Sequence, residues 1–367
     1  MIYRSQPGCC IVAPFEQCLG ATEPMIKTTF GIATVLVAGL NCAQAQQLAP
    51  SPTLDAVKAR GNLECGVHLG LPGFSFANDK GEWSGLDVDY CKSLAAAIFG
   101  DATKVKYTPT SVQQRWPILQ SGQVDVLSRN STITYSRNAT LGLNFQGINF
   151  YEGQTFIIRK STGVKEASGL DGASVCVAAG STEEKNAADW FRERNLKVTI
   201  TNFQKNDDAI AAYDAGRCDA STAGVGARAG QRAKLKTPDE HVILTQPISN
   251  DPQGPVTRWG DERWQLIVRW VLNAQIAAEA LGVTSKNVDE QKANSKNSEV
   301  RRLLGAEGGF GAMMGLPNEW AYNAIKQVGN YGESYERNVG MGSQLKLERG
   351  QNQLWTKGGL LFTPPFQ

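Results

Sequence analysis

Two stretches of this chain run through the same order of signals, and that repetition limits the fold more than any other feature. In the first, "NLECGV" (residues 62–67) is a short apolar strand. "GLPGF" (70–74) is a loop carrying helix breakers. "GLDVDYCKSLAAAIFG" (85–100) reads as a helix stopped by Gly100, "KVKYTPT" (104–110) as a strand, "SVQQRWPILQSG" (111–122) as a helix and "QVDVLS" (123–128) as a strand. In the second, "ASVCVAAG" (173–180) is a strand and glycine turn. "STEEKNAADWFRERN" (181–195) is a helix with Ser181 or Thr182 as its cap and acids in its first turn. "KVTITNF" (197–203) is a strand, "NDDAIAAYDAG" (206–216) a helix capped by Asn206, and "RCDAST" (217–222) a strand. The turns "SGQVDV" and "AGRCDA" correspond.

Two βαβαβ units of this kind imply two α/β lobes, each a largely parallel sheet with helices on both faces. Open α/β sheets bind ligands beyond the carboxyl ends of their strands, so two facing lobes make a cleft. The expected division is residues 54–153 with 248–367 as the first lobe and its C-terminal extension, and 154–247 as the second. "DERWQLIVRWVLNAQIAAEALG" (261–282) is an amphipathic helix with a core-facing stripe of Trp264, Ile267, Val268, Val271, Leu272 and Ile276. Short helices wrapped on the first lobe are expected after it. "GAEGGFGAMMG" (305–315) reads as a tail loop, since no strand precedes its glycines.

The cysteines fit this plan. Eight are present. Cys9, Cys10, Cys18 and Cys42 precede the lobes, and Cys65, Cys91, Cys176 and Cys218 lie two in each. Of the three pairings open to these four, Cys65–Cys91 with Cys176–Cys218 is favoured, because it leaves the lobes free to move. No CxxC pair occurs, and the chain has two histidines, so neither a metal site nor a cofactor is expected. A net charge of +2 with no basic block interleaved with aromatics gives no sign of nucleic-acid binding.

From Met25 the chain reads "MIKTTFGIATVLVAGLNCAQAQQ": a lysine, an apolar run over 30–40 and a small-x-small site at Ala43–Ala45. The run is too short to cross a bilayer. It has the form of a secretory signal peptide, with a mature start near Gln46 and a true initiator at Met25. Residues 1–45 are therefore set aside from the fold, and an exported chain agrees with disulfide use.

The stretch "RNSTITYSRN" (129–138) leaves a buried strand, lays out hydroxyl and amide side chains, and reaches Arg137. Taken alone, it is either a polar surface loop or an anion site. Here a resemblance enters. With "WSGLDVDYCKSLA", "LQSGQVDVLSRNSTITYSR", "AYDAGRCDA", "TPDEH" and "VGNYGESYERNVG", nearly the whole mature chain resembles the polar amino-acid-binding proteins of ABC importers, in particular their general L-amino-acid-binding branch. The resemblance implies a type II periplasmic-binding-protein fold whose lobes close on a ligand about a hinge. It implies export to the periplasm of a Gram-negative bacterium, a monomer, delivery of an amino acid to the membrane permease subunits, and no catalysis.

It also implies roles. Arg137, with Thr132 and Asn130, would hold the ligand carboxylate, the planar guanidinium fork matching it. Ser181 and Thr182, at a helix N-terminus that favours anions, would close on it from the second lobe. Leu71 would cover the ligand side chain, with Phe74 either beside it or in the core, and Val112 and Trp116 would match the opposite wall, although Trp116 at helical spacing fits the core better. Gly224 stands where the family carries an ammonium-binding aspartate. Either another acid replaces it, Glu183 being a candidate, or the ligand lacks an α-amino group, in which case amino acids bind weakly and an organic acid better. Arg228 has no acid beside it in sequence. Two other readings follow from that departure: a periplasmic prephenate- or arogenate-type dehydratase, and a sensor with a degenerate pocket.

Overall fold

The computed structural model describes residues 49–367. The signal-peptide reading and Cys9, Cys10, Cys18 and Cys42 lie outside the described residues. Twelve strands are seen: β1 Leu63–His68, β2 Phe76–Ala77, β3 Trp83–Ser84, β4 Val105–Thr110, β5 Val126–Leu127, β6 Leu143–Phe145, β7 Gln154–Arg159, β8 Ser174–Ala178, β9 Thr199–Phe203, β10 Ala220–Gly224, β11 His241–Ile243 and β12 Val256–Arg258. One five-stranded sheet has the order β4-β1-β5-β12-β6 and the other β11-β7-β10-β8-β9, while β2 and β3 form a small ribbon. In each large sheet the strands of the repeat are parallel (β1 with β4 and β5; β8 with β9 and β10), and later strands add antiparallel. The fold is therefore α/β, with two sheets of matching plan.

The chain passes between the sheets twice, after β6 and after β11. The two crossing segments run side by side: Asn149 N–H donates to Gln253 O, Gln253 N–H to Phe150 O and Asp251 N–H to Glu152 O. Pairing of this kind makes the crossing a two-stranded hinge rather than two loose linkers.

Several sequence expectations shift. The helix expected over 111–122 spans Arg115–Gln120. Pro117 has no N–H and is tolerated only in a first turn, so the helix cannot start much earlier. Asn206 is the first residue of helix Asn206–Asp214 rather than its cap, and Lys205 holds the cap position without a side-chain bond. Strand β10 begins after Asp219. The glycines that follow it lie in helix Val225–Arg232, and the tail loop contains a short helix, Phe310–Met314. The within-lobe disulfides Cys65–Cys91 and Cys176–Cys218 are present, tying β1 to helix Leu86–Phe99 and β8 to the turn before β10.

The helix Glu262–Ala280 buries its apolar stripe in the main core, capped by Asp261, whose carboxylate accepts from Trp264 N–H. The tail then packs on the first lobe. In "GNYGESYERNVG", Asn330 and Glu333 form a reciprocal cap on helix Tyr331–Asn338. Arg337 pairs with Asp89 at 2.6 Å, and Ser334 and Asn338 donate to the same carboxylate. Asn352 then grips the hinge: its Oδ1 accepts from Tyr151 N–H at 2.7 Å and its Nδ2 donates to Tyr151 O at 2.9 Å. Among the described residues, no helix is long and apolar enough to cross a membrane.

Candidate functional site

The segment after β5 lies at the carboxyl end of the first sheet, as open α/β sheets place their binding loops. Asn130 adopts a positive φ of 29° and its N–H donates to Asp87 Oδ2. Thr134 caps helix Tyr135–Thr140 by accepting from Arg137 N–H. That fixes Arg137 in the first turn, and its Nη1 donates to Thr132 O at 2.6 Å. Arg115, from helix Arg115–Gln120, and Arg137 both lie over the Trp116 ring, at 4.4 and 5.1 Å from its centroid. Trp116 also meets Phe145 edge-on, so it serves the small core of this sheet and the platform for two cations at once.

The lobes touch across this loop. Thr132 Oγ1 and Thr182 Oγ1 are 3.3 Å apart, Gln113 donates to Ala179 O, and Lys234 Nζ donates to Gly70 O. Gly230 and Gly226 of helix Val225–Arg232 lie against Pro72 and Phe74. This is a closed arrangement.

Arg137, Thr132, Asn130 and Thr182 come together at the lobe contact. Ser181 caps helix Thr182–Glu193: its hydroxyl accepts from Glu184 N–H and donates to Ala178 O, so its hydrogen-bonding capacity is largely spent within its own lobe. Leu71 and Phe74 are 1% exposed in the main core, Phe74 meeting Phe150 edge-on at 5.1 Å, and both also lie against helix Val225–Arg232 of the second lobe. Val112 is buried. Gly224 ends β10 beside the hinge.

Four guanidinium groups dominate the electrostatics. Arg115, Arg129, Arg137 and Arg228 are between 2% and 8% exposed. Among the described residues none is in an ion pair within 4.0 Å. Arg129 Nε donates to Thr110 O, and Arg228 donates to Ser221 Oγ and Thr222 O. The Nε atoms of Arg115 and Arg228 are buried without acceptors. Burial pushes all four pKa values down, Arg129 to about 10 and Arg228 to about 9. Glu183, in the first turn facing them, acts on every one of the four. Buried cations without matched anions are costly, and the arrangement is suited to an anionic ligand.

The acids are as unusual. Asp87 accepts from Ser75, Ser128 and Asn130 N–H, yet burial raises its pKa to about 7. Asp251, on the second crossing segment, is raised to about 6, again chiefly by burial. Glu152, on the first, is pushed well above the usual carboxylate range by burial, with Asp251, Glu183 and Asp87 adding to the effect. Its carboxylate fills the room beside Gly224: a Cβ there would stand 2.1 Å from Glu152 Oε1. So the acid missing at position 224 has a neighbour in its place, one that sequence reasoning did not name. Arg115 and Arg129 could have been noticed, since both flank strands at their carboxyl ends. Glu152 and Gln253 carry no periodic or motif signal. Among the described residues, no group of three or more His, Cys, Asp or Glu side chains is placed to hold a metal ion.

Comparison with known proteins agrees with this architecture. The general L-amino acid-binding periplasmic protein AapJ of Rhizobium johnstonii is 49% identical over 335 residues, 91% of this chain and 96% of that one. The glutamate/glutamine/aspartate/asparagine-binding protein BztA of Rhodobacter capsulatus is 46% identical over 319 residues, 87% of this chain and 94% of that one. A solved ABC-transporter periplasmic binding protein from Brucella ovis, with glutathione bound, superposes with a TM-score of 0.85 at 51% identity, covering 87% of this chain and 100% of that one. Residues 63–341 match the family described as bacterial extracellular solute-binding proteins, family 3. Over three quarters of its length, and with two lobes that meet at an arginine-lined loop, this chain belongs to that family of solute-binding proteins.

Proposed function

We propose that the chain is the periplasmic solute-binding component of an ABC importer for amino acids, capturing its ligand by lobe closure and presenting the closed form to the membrane permease. The lobes are taken as 54–153 with 248–367, and 154–247. The observation that carries the reading is the set of buried, unpaired guanidinium groups at the lobe contact, Arg137 foremost, which suits a ligand carboxylate. Thr132 and Thr182 supply hydroxyls from opposite lobes, so a ligand bound there favours closure by touching both. The names of the relatives support an amino acid or a small peptide such as glutathione as cargo. The protein acts as a monomer, is exported on the signal peptide that starts at Met25, and performs no chemistry on what it carries.

The test is thermal unfolding of purified, ligand-stripped protein with L-amino acids, glutathione, matched 2-oxo acids and prephenate. A ligand at 100 times its dissociation constant stabilises by about 2.7 kcal/mol. Stabilisation by amino acids or glutathione is expected. Stabilisation by 2-oxo acids alone moves the cargo to carboxylates without an ammonium, and turnover of prephenate replaces the carrier with an enzyme.

A further inference from the structure

Glu152 sits on the hinge floor in room that exists because two residues of the second lobe lack side chains. A Cβ on Gly224 would lie 2.1 Å from its Oε1 and 2.4 Å from its Cδ, and one on Gly226 3.2 Å from its Oε2. Its partners are neutral donors: Gly226 N–H at 2.7 Å and the Gln253 amide. Three further acids, Asp251, Glu183 and Asp87, act on it. Among the described residues, no cation lies within ion-pair distance of it. Beside it, Gln253 is 3% exposed and its Oε1 has no donor; two residues after Glu152, at the start of β7, Gln154 is fully buried and its Oε1 is likewise without one.

A partly buried carboxylate beside the donorless amide oxygen of Gln253 matches a group that brings several N–H donors, one positive charge and no acceptor. An ammonium is that group. The guanidiniums of Arg115 and Arg137, gathered over the Trp116 ring, suit the carboxylate end of the same molecule.

We propose that Glu152 receives the ammonium of an amino-acid ligand, with Gln253 Oε1 as a second acceptor, and that residue 224 must be glycine for Glu152 to reach its place. This rests on the amino-acid reading above. It makes Glu152 the residue that separates amino acids from their 2-oxo counterparts, and it makes Gly224 a condition of that role rather than a gap in the site.

Calorimetric titration of the exported, ligand-stripped protein with L-glutamate, L-glutamine and glutathione, each alone, tests this. Wild type is expected to bind at least one of them. E152Q should weaken that ligand about 10- to 100-fold, the worth of a charge-assisted hydrogen bond. G224A keeps the charge but fills its room, and should also weaken binding. E152Q/G224D returns a carboxylate from the other side of the same space and should recover part of the loss. Wild-type affinity in both E152Q and G224A overturns the assignment while leaving amino-acid binding standing. Failure of wild type to bind any of the three overturns the assignment together with the reading it rests on. Ligand-free unfolding temperatures show which variants fold; if E152Q does not, G224A is judged by the same criterion.

Discussion

Asp87 shows how far a single residue's surroundings can depart from its sequence. It opens a helix, where an acid ordinarily serves the dipole, yet it is sealed behind Asn130 and its pKa rises from 3.8 to about 7. Between those values the folded protein holds a proton that the unfolded chain has released. Its stabilising contribution is therefore complete below about pH 4 and is lost as pH climbs through about 7. Asp251, raised to about 6, has the same sign. His68, buried and pushed well below its ordinary 6.5, has the opposite one, its contribution being lost as pH falls. Asp87→Asn isolates the first effect. In urea unfolding, its stability relative to wild type should improve as pH goes from 4 to 8, by at most about 1.4 kcal/mol per unit, and a pH-independent difference would count against a buried, proton-holding carboxyl. Arg137 is the residue-scale counterpart at the proposed ligand site. Arg137→Lys keeps the charge but loses the planar fork, so calorimetry should find the stabilising ligand bound about 10- to 100-fold more weakly; unchanged affinity would return Arg137 to the role of a polar-loop residue. Of the expected site residues, Arg137 was legible because a fixed cation after a row of hydroxyls is a local pattern. The cap bonds made by Ser181 and the burial of Leu71 were not, because both depend on what surrounds a side chain in three dimensions.

At the scale of elements, the parallel strands and long helices of both repeats could be read from alternation and breakers. What escaped were boundaries and late strands. Strand β11 has three residues and pairs antiparallel with β7 through contacts distant in sequence. Helix Leu86–Phe99 shows why one boundary residue matters. Its cap, Gly85, has φ 128°, and a Cβ there would meet Phe74 O at 2.1 Å, while Leu86 and Asp87 N–H donate to Gly73 O and Phe74 O. Only a residue without a side chain lets the helix dock its first turn on that loop. Gly85→Ala should lower the unfolding free energy by about 1–3 kcal/mol from backbone strain alone, measured by denaturant titration; a change of a few tenths would mean that the loop at Phe74 yields.

At the scale of the molecule, the C-terminal extension holds the hinge as well as the first lobe. Asn352 satisfies both backbone groups of Tyr151, Tyr331 donates to Asn149 O, and Tyr335 stacks on Phe150 at 6.2 Å. Asn352→Ala leaves Tyr151 N–H and C=O without those partners and should cost about 1–3 kcal/mol in unfolding free energy; an unaltered midpoint would show that water replaces the clamp. The amino-acid sequence by itself determined the two-lobed α/β plan and the arginine after β5, because strand–helix alternation and a local polar row are written in neighbouring residues; it favoured the pairing of cysteines within lobes, which the tertiary structure decided. Only the tertiary structure decided what stands beside Gly224. A glycine says that room exists and nothing about what fills it, and Glu152 arrives there from a crossing segment that is brought under β10 only when the two sheets and their hinge have formed.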